Sequence, residues 1–87
     1  MKDIIEHFKT LGFILHESET GSDHFYMDKH KPVHIDIQGN IIKNSKSIKL
    51  YVRLIGRKHV EEEETFTISS VEDLKQIDNL IKRWETY

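Results

Sequence analysis

Ile48-Lys49-Leu50-Tyr51-Val52-Arg53-Leu54-Ile55 alternates without a break. Ile48, Leu50, Val52 and Leu54 fall on one side of an extended chain, and Lys49, Tyr51 and Arg53 fall on the other. A period of two carried by β-branched and aromatic residues predicts a half-buried strand. The apolar side needs a core. The polar side sets an aromatic ring between two cations on a sheet surface.

Toward the N-terminus, residues 43–47 are polar and loop-like, and Ile41 and Ile42 either extend a hairpin or tuck against the core. Gln38-Gly39-Asn40 reads as a compact reversal, because glycine and asparagine tolerate positive φ. Residues 33–37 predict a strand with Val33, Ile35 and Ile37 opposite His34 and Asp36. Further strands are expected over 23–28 and 13–18, the latter with the imperfect alternation of a sheet edge. Residues 2–11 predict a short helix with Ile4, Ile5, Phe8 and Leu11 as its apolar stripe, ended by Gly12.

Toward the C-terminus, residues 56–64 hold a basic cluster followed by Glu61, Glu62, Glu63 and Glu64. A run of like charges is expected to stay solvated in a loop. Phe66 and Ile68 resume a strand over 65–68. Residues 71–84 give the clearest helix, with Val71, Leu74, Ile77, Leu80, Ile81 and Trp84 at helical spacing. Its start carries two capping patterns, Ser70 with Asp73 and Ser69 with Glu72, and Trp84 is expected to clasp the core.

These readings give an α+β fold: an antiparallel β-sheet of about four strands, with N-terminal and C-terminal helices packed on one face, in the order α-β-β-β-β-α. Eighty-seven residues make one domain, spanning 1–87. The sequence has no cysteine, which excludes disulfides, a thiol nucleophile and cysteine-ligated zinc. No apolar run approaches the roughly 18 residues of a membrane span, and no signal peptide is visible. The expectation is a cytoplasmic protein with no membrane partner.

Charge is segregated along the chain. Residues 1–30 hold three basic and six acidic side chains, residues 31–60 seven and one, and residues 61–87 three and eight. A basic middle between acidic ends steers an anionic partner or is compensated internally by folding. Lys43, Lys46, Lys49, Arg53, Arg57 and Lys58 surround Tyr51, a composition that suits single-stranded nucleic acid through phosphate contact and stacking. Nucleic acid is therefore one partner of the 43–58 region to test.

The six histidines invite two further readings. His24, His30, His34 and Asp36 form the best local set for a divalent metal, but they match no tight ligand signature, and neither metal nor cofactor is expected. His24 with His16 or His34 suits acid–base cleavage of RNA if strands bring them together. The opening stretch resembles the start of the HicA family of mRNA interferase toxins in Leu11-Gly12-Phe13 and Gly21-Ser22. The resemblance covers about the first 35 residues and implies a double-stranded-RNA-binding-domain-like α-β-β-β-α fold, with an antitoxin partner. The family carries its catalytic histidine where this chain has Asp23; His24 follows one position later and faces the other side of a strand. The chain also continues with a long basic strand, an acidic segment and another strand before its final helix.

No catalytic set stands out, so a noncatalytic protein-binding or regulatory domain is the leading expectation. RNA binding or HicA-like ribonuclease action is the alternative. The expected binding surface is Lys49, Tyr51, Arg53 and Arg57 with Glu61, Glu62, Glu63 and Glu64, the glutamates selecting a basic protein partner.

Overall fold

The computed structural model describes residues 1–86. The chain runs α1 (Lys2–Thr10), β1 (Ile14–Leu15), β2 (His24–Lys29), β3 (Ile35–Ile41), β4 (Ile48–Ile55), β5 (Val60–Ile68) and α2 (Leu74–Glu85), with short 3₁₀ turns at Glu17–Glu19 and Val71–Asp73. The strands form one antiparallel meander in the order β1-β2-β3-β4-β5. The sheet therefore has five strands where about four are expected; the 13–18 segment contributes only a two-residue edge strand before the chain turns.

The alternation in β4 becomes alternation in burial: Ile48, Leu50, Val52 and Leu54 are buried. Beside them lie Ile35, Ile37, Phe25, Met27 and Ile68, all on the same face. Ile4 and Phe8 of α1, with Leu74, Ile77, Leu80, Ile81 and Trp84 of α2, complete this single core. Both helices thus cover one face, and the other face is open.

Local chemistry sets the helix ends. Gly12 adopts φ +95°, the Gly12 N–H donates to Lys9 O (3.0 Å), and the Phe13 N–H reaches back to Phe8 O (3.1 Å). This is a complete Schellman stop, and the Phe8 and Phe13 rings meet edge to face at 5.7 Å, supplying its hydrophobic contact. At the other end, Asp73 Oδ2 accepts the Ser69 and Ser70 N–H groups at 2.9 and 3.1 Å. The first turn after this cap is 3₁₀, so the α-helix starts at Leu74, and Val71 is left 59% exposed outside the apolar stripe.

Two expectations need correction. Gln38-Gly39-Asn40 is not a reversal but the middle of β3, with Gly39 between Phe25 and Leu50. The reason lies across the strand: a Cβ on Gly39 would stand 2.1 Å from Phe25 Cε1, so the missing side chain makes room for a buried ring. The turn comes later, at Asn44, with φ 63°. The glutamate run is not a loop either. It forms the first half of β5, pairing along β4 with Glu62, Glu63 and Glu64 opposite Leu54, Arg53 and Val52.

The alternation then separates the carboxylates. Glu62 and Glu64 lie on the helix side, where Glu62 Oε2 accepts the Trp84 indole N–H at 2.6 Å and Glu64 lies 3.8 Å from Arg83. Lys29 is also drawn inward. Its ammonium lies over Phe13, donates to Leu11 O and pairs with Glu85, tying the ends of both helices to β2.

Gly39→Ala is expected to destabilise the domain by about 2 kcal/mol or more, because the Phe25 ring is enclosed and cannot yield. Urea unfolding of the two proteins measures the loss.

Candidate functional site

On the open face, β2, β3, β4 and β5 bring Asp28, Asp36, Arg53 and Glu63 into one row. Two of these carboxylates are buried although no helix covers them: Asp36 is 2% exposed and Asp28 7%. A buried carboxylate needs charged or hydrogen-bonded partners, and the two find different ones.

Asp36 is bound on both oxygens by Arg53, with Nε donating to Oδ1 at 2.8 Å and Nη2 to Oδ2 at 2.6 Å. Tyr26 adds its hydroxyl to Oδ2 at 3.2 Å. Such a bidentate pair is directional as well as charged. Hydrogen bonding to Asp36 raises the Arg53 pKa further above its ordinary value. Burial, followed by the charge of Asp36, pushes the Tyr26 phenol up to about 12.

Asp28 gathers histidines. His16 continues the β1–β2 register beyond β1, its N–H donating to Tyr26 O. Its ring lies 5.2 Å from that of Tyr26, and its Nε2 hydrogen-bonds Asp28 Oδ1 at 2.7 Å. On the other oxygen, His30 Nε2 and His34 Nε2 stand 3.4 and 3.7 Å from Oδ2. The last β2–β3 pair is Lys29 with Ile35, so positions 30 and 34 face each other across the connection. Their rings stack at 4.0 Å.

The three histidines of the acid–base reading are therefore not one group. His16 and His34 meet at Asp28. His24 lies four residues back along β2, roughly 13 Å away by strand geometry, where Nδ1 donates to Asp23 at 2.7 Å. That bond lowers the Asp23 pKa. Of the local metal set, His30 and His34 converge, but Asp36 is occupied by Arg53 and His24 is elsewhere. Asp28 is the residue that sequence reasoning passed over. The signal was present as D-x-H-x-x-x-H-x-D over residues 28–36, symmetric about Pro32.

The expected binding residues also divide. Lys49 leans over the Tyr51 ring at 5.5 Å, and Arg53 is held by Asp36. Arg57 borders a cleft at the end of the sheet together with His30, His34, Glu61 and Glu62. Lys43 and Lys46 sit in the β3–β4 turn, whereas Arg57 and Lys58 sit in the β4–β5 turn. The eight residues of β4 separate these turns, a span of roughly 26 Å.

Comparisons of the chain with protein-family models, curated proteins and solved structures find no match.

Arg53→Ala leaves the enclosed Asp36 carboxyl without its bidentate partner, and is expected to cost about 3 kcal/mol of stability, read by chemical denaturation. Tyr26 gives a pH test. Its proton is held more tightly in the fold than in the unfolded chain, so its contribution is complete below about pH 10 and is lost as pH rises toward 12. Thermal melts across that range should fall more steeply for the wild type than for Tyr26→Phe.

Proposed function

We propose that this chain is a noncatalytic protein-binding domain whose outer strand, β5, takes a basic extended segment of a partner protein. The observation that carries this reading is the placement of the four glutamates on a strand at the sheet margin. β5 is nine residues long and is the last strand of the sheet, with no strand on its outer side among the described residues. Residues 60–65 are exposed. An exposed edge offers backbone groups for strand addition. Side chains that alternate between the two faces set carboxylates on both sides of that edge, complementary to lysine or arginine on an incoming strand. The same charges oppose edge-to-edge pairing of two copies. Tyr51, across from Thr65, supplies an aromatic anchor on the open face.

Charge distribution supports protein over nucleic acid as the partner. Binding a phosphate backbone requires several available cations along one track. Here Arg53 is neutralised by Asp36, and the other basic residues of the 43–58 region lie toward the two ends of β4.

Affinity capture with the wild-type chain and with Glu61→Lys/Glu63→Lys provides the test. Glu61 and Glu63 are chosen because neither makes the Trp84 or Arg83 contact. The expected result is a protein with a basic segment, retained after nuclease treatment and released by salt, and lost at least about tenfold by the variant. Equal capture by both baits, or retention of nucleic acid in place of protein, contradicts the reading.

A further inference from the structure

We infer that Asp28, His30 and His34 form a binding site for a divalent transition-metal ion of the zinc type, with His16 positioning the carboxylate. This site is separate from the β5 edge and does not depend on the function proposed for it.

Four observations converge. The ligand atoms of these three residues all lie within 4.8 Å of one another. The two distances to Asp28 Oδ2, 3.4 Å from His30 Nε2 and 3.7 Å from His34 Nε2, are near the spacing a tetrahedral ion imposes. Bonds of 2.0–2.1 Å place tetrahedral ligand atoms about 3.3–3.4 Å apart. Closing the set takes an approach of a few tenths of an ångström by His34 to Oδ2 and a turn of the two stacked rings that aims both nitrogens, now within 4.8 Å of each other, at one ion.

The second observation is His34 itself. Its Nε2 is buried and has no hydrogen-bond partner, because 3.7 Å from the carboxylate is too long for a hydrogen bond. A buried nitrogen left unpaired is costly unless something binds it. A metal ion between His34 and Asp28 would satisfy both at once.

Third, Asp28 is prepared as a ligand. His16 hydrogen-bonds Oδ1 at 2.7 Å, which fixes the carboxylate and leaves Oδ2 directed at the other two rings. Ligating carboxylates are commonly held in this way by an outer partner. Fourth, the neighbouring carboxylate cannot compete, since both oxygens of Asp36 are engaged by Arg53.

Two imidazoles and one carboxylate favour zinc, cobalt or nickel over magnesium or calcium, which prefer all-oxygen sites. Three protein ligands leave one tetrahedral position for water or for a group from a partner. His30 and His34 border the cleft that also holds Arg57 and Glu61, giving that position access from solvent.

The test uses the full chain after chelator treatment and removal of the chelator. Zinc alone is titrated by calorimetry, and cobalt(II) alone by visible absorption. One ion per chain, tetrahedral cobalt bands, and a Tm rise on the order of 10 °C at free zinc about 100 times Kd are expected. Magnesium should change nothing. His30→Ala alters a mostly exposed side chain, so it should keep its metal-free Tm while losing at least about 100-fold in zinc affinity. His34→Gln should lose as much. His16→Ala should lose about tenfold while still binding one ion, whereas His24→Ala and His59→Ala should bind as the wild type does. Absence of saturable zinc binding by the folded wild type below about 1 mM, or full affinity in His30→Ala, overturns the inference.

Discussion

The bidentate bond between Asp36 and Arg53 governs the open face of this domain. With both helices on one side, the other side of the sheet must carry polar groups, yet its centre is shielded enough to bury a carboxylate. Arg53 meets that demand from the adjacent strand, and Tyr26 completes it from the strand beyond. One consequence is electrostatic: a cation that looks available in the sequence is neutralised in the fold. Another is chemical. With Asp36 occupied, Asp28 is the carboxylate left to the histidines, and the connection between β2 and β3 closes two of them over it.

The covered face is organised by a different constraint, the fit of large side chains around a sheet that alternates strictly. Leu50 and Val52 lie under the helices because β4 keeps its period of two throughout. Gly39 gives up a side chain so that the Phe25 ring can lie across β3. The two faces are linked through β5, where Glu62 reaches the Trp84 indole on the helix side while Glu63 lies opposite Arg53 on the open side. The outer edge is thereby held in line with the core although most of its residues are exposed.

Much of this was legible from residue order. The periodicity of β4, the helical stripe from Leu74 to Trp84 and the glycine stop after α1 are local patterns, and local patterns survive folding when the core agrees with them. The errors share a cause. Gln38-Gly39-Asn40 has the composition of a turn, and only the Phe25 ring on a neighbouring strand explains why it is extended. The glutamate run has the charge of a loop, and only pairing with β4 and contacts to α2 make it a strand. At the histidines, Asp28 and Asp36 are each two positions from a histidine, so spacing cannot rank them. The register of β3 against β4 ranks them, by placing Arg53 directly opposite Asp36. The charge of the glutamate run was legible; the sheet edge that presents it was not.

Arg53 sorts two equivalent-looking carboxylates, holding both oxygens of Asp36 and leaving Asp28 Oδ2 turned to His30 and His34. Anomalous diffraction from crystals grown with zinc, recorded on both sides of the zinc absorption edge, examines that sorting directly. One strong peak is expected, bounded by Asp28 Oδ2, His30 Nε2 and His34 Nε2, with Arg53 still bound to both oxygens of Asp36. A peak on Asp36, or well-ordered side chains at Asp28, His30 and His34 with no peak between them, would contradict it.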